Sequence, residues 1–119
     1  MLVKDLNDCA EFVAGDESLL RQLLHPNEAD IACRYSLCHA TVAPGQTTRP
    51  HILRTSEVYY ILEGQGVMSI DGESQAVGPG QAIYIPPHSN QYIQNTGSSE
   101  LTFLCIVDPA WREEDEEIL

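Results

Sequence analysis

Three polar side chains in the middle of the chain have the types and spacing to bind a metal ion or a small molecule. His51 offers an imidazole nitrogen, Glu57 an anionic oxygen and Gln91 a neutral amide oxygen. His51 and Glu57 share one parity of an extended segment, although the loop at 54–56 makes this parity approximate. One nitrogen and two oxygens suit Mn, Fe, Ni or Zn, and they differ from the thiolate set of a structural zinc site. The alternative is a buried polar cluster without a metal, in which these groups hydrogen-bond one another.

The elements that must position these groups are short β-strands. Runs of alternating apolar residues, rich in β-branched and aromatic types, recur with Gly and Pro in the joints, and Asp71-Gly72 predicts a tight hairpin turn. Neither face of the first long run is purely polar, which is typical of a strand covered on both sides. We therefore predict an all-β antiparallel sandwich or barrel, with strands at 29–42, 51–54, 57–63, 67–70, 74–77, 82–85, 91–94 and 101–107.

The two ends of the chain have a different character. Within residues 5–15, Asn7 and Asp8 could start a single helical turn over 9–13, and the leucine-rich segment 18–24 fits either a helix or a strand at a sheet edge or dimer contact. The acidic run 113–117 is typical of a solvated end. We thus divide the chain into an amino-terminal extension (1–28), a β domain (29–108) and an acidic carboxyl-terminal tail (109–119).

Charge and composition exclude several classes of partner. The net charge of −12, from 18 acidic and 6 basic residues, would repel nucleic-acid phosphates and anionic lipids. The sequence contains no apolar run long enough to span a bilayer and no secretory signal pattern, so we expect a cytoplasmic protein. The four cysteines lack metal-ligand spacing and are expected to be reduced thiols.

Two stretches resemble the two conserved motifs of the cupin family. The first has the spacing of a Gly, a His, a second ligand position, a Glu and a Gly, here Gly45, His51, Leu53, Glu57 and Gly64. The second has the family's spacing of a Gly, a Pro, a turn position, a ligand and an Asn, here Gly80, Pro86, His88, Gln91 and Asn95. The resemblance implies a small jelly-roll barrel, or double-stranded β-helix, with a short amino-terminal extension.

The resemblance also implies a divalent metal centre, which the family builds from three His and one Glu. Carried over by position, these ligands are His51, Leu53, Glu57 and Gln91, so a leucine and an amide replace two imidazoles. The family spans isomerases, oxygenases, decarboxylases, storage proteins and sensor domains. We therefore expect a metal-binding cupin that acts on a small carbonyl, carboxylate or sugar-like metabolite, with Glu57 and Tyr59 in catalytic roles. The alternative is a barrel that binds or senses a small molecule without catalysis.

Further residues are expected to line the interior of the barrel. His39 is either a fourth ligand or a core histidine, and Cys105 is a thiol that could ligate or oxidise near a metal. His88 is expected in a loop outside the barrel. Parity assigns the remaining lining to Leu53, Tyr59, Ile61, Tyr84, Ile93, Phe103 and Cys105.

The resemblance and the exposed edges of a short jelly roll both predict a homodimer. Pairing of two subunits through Leu19 to Leu24 would cover one sheet edge.

Overall fold

The chain folds into strands that largely follow the alternating pattern of its apolar residues. The computed structural model describes residues 1–119 and has only two short helical turns, Leu6–Asp8 and Glu113–Asp115. The strands are β1 (Glu11–Val13), β2 (Leu19–Leu24), β3 (Ser36–Val42), β4 (His51–Leu53), β5 (Ser56–Glu63), β6 (Gly66–Ile70), β7 (Glu73–Val77), β8 (Ala82–Ile85), β9 (Asn90–Asn95), β10 (Leu101–Asp108) and β11 (Glu116–Ile118).

These strands form two antiparallel sheets. The first sheet has the order β1-β2-β3-β10-β5-β8, and the second has the order β11-β4-β9-β6-β7. Most neighbours in the sheets are not consecutive in sequence, as in a jelly roll, so the predicted all-β jelly-roll fold is confirmed. The two sheets keep open edges and do not close into a continuous barrel.

The hairpin between β6 and β7 shows how the local sequence sets the register. Asp71 and Gly72 both have positive φ, 49° and 83°, which is the conformation of a type I′ turn. This turn pairs Ile70 with Glu73 and continues the register to Gly66 and Val77. The predicted Asp-Gly turn is therefore present.

The hydrophobic core lies between the sheets. Its most deeply buried members include Ile61, Ile93, Leu101 and Phe103, none more than 1% exposed. Tyr84, predicted to face inward, is instead 63% exposed, because β8 turns Ile83 and Ile85 toward the core. The structure contains no helix with the length and apolar character needed to cross a bilayer.

Three predictions about the ends need correction or completion. The strand predicted over 29–42 begins only at Ser36. The segment 18–24, left open between helix and strand, forms β2, but it lies between β1 and β3 and is not a sheet edge. The helical turn predicted over 9–13 is not present, because Glu11–Val13 forms β1; a helical turn lies earlier, at Leu6–Asp8, and is capped by Asp5.

The acidic tail is not a free solvated end. Its last residues form β11, which pairs with β4 and places Glu116 opposite Leu53. The carboxylate of Asp115 is buried and accepts two hydrogen bonds from Arg112, at 2.9 and 3.0 Å. Long-range pairing therefore orders a charged run that has no strand pattern of its own.

Candidate functional site

A cavity of about 540 Å³ opens between the sheets at one end of the jelly roll. Its walls include His51 and Leu53 of β4, Glu57 and Tyr59 of β5, and Cys105 of β10. Segments from both chain ends form the mouth, so the amino-terminal extension covers the cavity as well as adding an edge strand.

Strand alternation turns the motif side chains inward. In β4 the inward residues His51 and Leu53 are 3% and 2% exposed, with the less buried Ile52 between them. The register places His51 directly opposite Gln91 of β9, and cross-strand partners of this kind lie side by side on one face. Gln91 is 1% exposed and is not part of the cavity wall, so the second motif meets the first directly behind the wall although forty residues separate His51 from Gln91.

His51 is held in one tautomer by the backbone. Its Nδ1 lies 3.0 Å from the carbonyl oxygen of Arg49. Because a carbonyl can only accept, Nδ1 donates, and in the neutral ring Nε2 keeps its lone pair. His51 therefore presents a hydrogen-bond acceptor or a metal ligand.

Tyr59 is fixed by a hydrogen bond and an aromatic contact. Its hydroxyl donates to Gln91 Oε1 at 3.2 Å, and its ring packs on Phe103 with a centroid distance of 4.4 Å. Burial, followed by the nearby charge of Glu57, raises the pKa of Tyr59 well above its ordinary value. Tyr59 therefore remains a hydrogen-bond donor and does not act as a base at neutral pH.

Glu57 is the most unusual group in the cavity. The residue is 6% exposed, and its Oε1 is buried without a hydrogen-bond partner. Burial raises the pKa of Glu57 to about 8; a hydrogen bond from Gln91 opposes this, whereas the charges of Asp16 and Glu116 add to it. Glu57 is thus mainly a neutral acid at pH 7.

Two thiols face each other across neighbouring strands of the cavity wall. Cys38 of β3 and Cys105 of β10 are register partners, and both line the cavity. Burial raises the pKa of Cys38 to about 11 and that of Cys105 well above its ordinary value, and Glu57 adds to both effects. Both side chains are therefore protonated and weakly nucleophilic.

The structure places two residues that were predicted to line the pocket away from it, and one residue predicted in a loop where it was expected. His39 lies on the opposite face of β3 from Cys38, so it does not line the cavity; both faces of this strand are partly apolar, and parity alone misled the prediction. Ile93 belongs to the core, at 0% exposed, and is not part of the cavity wall. His88 is exposed in a loop at φ 66°, a conformation that favours glycine.

The donor set does not fit the four-ligand metal centre that the motifs imply. Leu53 is buried at one ligand position, and the Gln91 amide oxygen already accepts from Tyr59. No three His, Cys, Asp or Glu residues are grouped so that they could hold a metal ion. The remaining carboxyl group is a neutral acid near pH 7, which weakens it as a ligand.

Two acidic residues at the cavity mouth were missed by the sequence analysis. Asp16 comes from the loop before β2, and Glu116 from the acidic tail. Neither lies in a motif or in a predicted strand. No local signal could have found them, because the chain ends meet at the cavity only in the folded protein.

Comparisons with known proteins agree with this architecture. A family model described as the cupin domain matches residues 38–107. An uncharacterized protein from Methanocaldococcus jannaschii is 43% identical over 109 residues, which cover 91% of this chain and 86% of that protein.

Solved structures show the same fold at low sequence identity. Pac13, a nucleoside dehydratase from Streptomyces, superposes with a TM-score of 0.80 at 19% identity, covering 100% of this chain and 91% of that one. A predicted oxalate decarboxylase from Thermotoga maritima gives a TM-score of 0.79 at 21% identity, covering 91% of this chain and 99% of that one. These likenesses concern the fold alone.

Proposed function

Because this chain belongs to the cupin family, we propose that its cavity binds a small polar metabolite through Glu57, His51 and Tyr59 without requiring a bound metal. The observation that carries the proposal is Glu57 Oε1, a buried oxygen without a hydrogen-bond partner at the cavity wall. Leaving such a group unpaired costs about 1–3 kcal/mol. A ligand with a complementary polar group would recover this cost.

The three polar groups offer different chemistry to a ligand. The neutral carboxyl group of Glu57 can donate and accept, His51 Nε2 accepts, and the Tyr59 hydroxyl, now bound to Gln91, donates. Leu53 and Phe103 supply apolar wall on which a carbon skeleton can pack. A cavity of about 540 Å³ falls within the usual range for metabolite sites.

A second candidate is the metal-dependent enzyme predicted from the motifs. One observation favours it: His51 keeps the Nε2 lone pair that a divalent ion would use. The ion would be held by His51, Glu57 and Gln91, with Glu57 and Tyr59 in catalytic roles. This candidate requires Glu57 to lose its proton and Gln91 to leave Tyr59.

Analysis of untagged protein separates the two candidates. We expect substoichiometric metal by elemental analysis, and an organic molecule released on denaturation and identified by mass spectrometry. His51→Ala and Glu57→Ala should both lose this molecule, whereas the exposed control His88→Ala should keep it. Stoichiometric metal that disappears in both cavity variants would overturn the proposal in favour of the metal-dependent enzyme.

We also propose that the protein is a homodimer, with an interface different from the one that the sequence predicted. The outer face of the first sheet carries an apolar row across β3, β10, β5 and β8, formed by Leu37, Ile106, Val58 and Tyr84. Ile106 and Tyr84 are 39% and 63% exposed. Exposed apolar rows on a regular sheet are typical of subunit contacts.

Light scattering tests this interface. We expect a dimer that dissociates in Ile106→Lys, while Tyr92→Lys on the second sheet leaves it intact. A monomeric wild-type protein would refute the proposal.

The cytoplasmic location expected from the sequence remains a proposal. All four cysteines are free thiols, including the adjacent Cys38 and Cys105, which supports a reducing compartment. Localisation of the tagged protein in its native cell would test it.

A further inference from the structure

The cavity wall has an excess of acidic side chains that a neutral ligand does not explain. Five of its residues are acidic and one is basic: Asp8, Asp16, Glu28, Glu57, Glu116 and Lys4. The ligand must be compatible with this negative potential.

Asp16 and Glu116 meet at the mouth from opposite ends of the chain. A Cβ atom added to Gly15 would lie only 2.7 Å from Glu116 Oε1, so this carboxylate lies directly against the backbone beside Asp16. Asp16 Oδ1 accepts from the Ser18 hydroxyl at 2.6 Å, and Glu116 Oε2 accepts from Trp111 Nε1 at 2.9 Å. Neutral donors hold both carboxylates, and neither forms an ion pair with a lysine or an arginine.

Glu57 is an independent indication of a ligand at greater depth. Its Oε1 is buried, unpartnered and part of the cavity wall. After burial and the opposing bond from Gln91, the charges of Asp16 and Glu116 raise its pKa further, which places all three carboxyl groups within electrostatic reach. An anionic ligand would be repelled by the carboxylates of Asp16 and Glu116, whereas a cation would be attracted by both and could donate to Glu57 Oε1.

The remainder of the wall argues against a bare ion as the ligand. Leu20, Leu53, Phe103 and Val107 line the same cavity. A space of about 540 Å³ with apolar walls suits a carbon skeleton that carries the charge at one end. The chemistry is therefore that of an organic amine.

We propose that the cavity is selective for small organic cations, with an ammonium group donating to Glu57 Oε1 while Asp16 and Glu116 supply the compensating negative charge. This inference rests on the proposed binding function and specifies its ligand class. Proton transfer from Glu57 is not required, since a protonated amine can donate to either form of the carboxyl group.

Three probes of equal chain length test the charge preference. Putrescine, butanediol and succinate share a four-carbon chain but present cationic, neutral and anionic ends. In calorimetric titrations of the full chain at low salt, we expect putrescine to bind about tenfold more tightly than butanediol, and succinate to bind least. Added salt should reduce the advantage of putrescine.

Variants that remove one charge each test whether Asp16 and Glu116 cause the preference for putrescine. Asp16→Asn and Glu116→Gln should each weaken putrescine about fivefold and leave butanediol unchanged, whereas the exposed control Glu117→Gln should change neither. Glu116→Gln keeps an oxygen for Trp111, so it tests the charge even if Asp16→Asn disturbs the loop.

The outcomes distinguish this inference from the function on which it rests. Equal or tighter binding of butanediol or succinate would overturn cation selectivity while leaving a ligand-binding cavity. Binding of none of the three probes would also overturn it, whereas the proposed function would fail separately if the released ligand were absent or insensitive to Glu57→Ala.

Discussion

The two ends of strand β9 differ in how completely their buried polar groups are hydrogen-bonded. We call the end of the jelly roll at Asn95 the closed end, and the end at Gln91, beside the cavity, the cavity end. The inward residues of β9 are Gln91, Ile93 and Asn95, none more than 1% exposed. Asn95, at the closed end, donates to Val42 O and Ser99 O at 2.9 and 2.8 Å and accepts from Gly97 N at 2.9 Å. Gln91, at the cavity end, lies beside Glu57, whose Oε1 has no partner.

Asn95 and Gln91 are both positions of the second motif, but the polar groups around them have different roles. At the closed end every buried hydrogen-bonding group of Asn95 is satisfied, so the residue stabilises the fold. At the cavity end a carboxyl group is buried without full compensation, which destabilises the empty protein and prepares it for a ligand. Residues of the family motifs lie at both ends. A structural role is distinguished from a functional one only by whether the buried polar groups have hydrogen-bond partners.

The largest expected effect is the pH dependence of stability that Glu57 causes at the cavity end. Its folded pKa of about 8 exceeds the ordinary value of 4.5, so its contribution is fully favourable only below pH 4.5 and is lost as pH rises toward 8. Each unit corresponds to up to about 1.4 kcal/mol, which gives a loss of several kcal/mol.

Glu57→Gln removes this titration and isolates its effect. In urea unfolding at a series of pH values, we expect the variant and the wild type to be equally stable near pH 4, with the variant increasingly more stable up to pH 8. A constant difference across this range would show that Glu57 has an ordinary pKa.

The second effect concerns the closed end, where the backbone leaves no space for a side chain. A Cβ on Gly64 would lie 2.6 Å from the carbonyl oxygen of Glu100, and Gly64 has φ 90°. We expect Gly64→Ala to lower the free energy of unfolding by about 4 kcal/mol. Gly45 also has positive φ, 75°, but nothing lies near its Cβ position, so Gly45→Ala should cost about 1 kcal/mol. Equal losses would mean that φ strain alone acts at both positions.

The third prediction tests whether Asn95 stabilises the fold without taking part in ligand binding. Asn95→Ala leaves a buried backbone carbonyl of Val42 and two further groups without partners, so we expect a loss of about 3 kcal/mol in chemical unfolding. Ligand binding by the folded variant should remain unchanged. The exposed side chain of Asn90, on the same strand, provides the control Asn90→Ala, which should be neutral.

The closed end was more predictable than the cavity. Gly45 and Gly64 take positive φ, and Asn95 accepts from Gly97 N two residues further on, so residue type and spacing indicate these positions. The tail and Asp16 gain their roles from contacts between distant parts of the chain, so the sequence offered no pattern for them. The same applies to His39, because alternation gives two faces but does not say which one meets the cavity.

The smallest expected effect lies between the two ends, at the hydrogen bond from Tyr59 to Gln91. Tyr59→Phe keeps the packing on Phe103 and removes one bond of 3.2 Å, so we expect a stability loss of about 1 kcal/mol. Because the proposed site binds the metabolite through the Tyr59 hydroxyl, which lines the cavity, we expect titration of the released metabolite to show a lower affinity for this variant. Wild-type affinity with the expected loss of stability would instead show that Tyr59 only supports the fold at the cavity end.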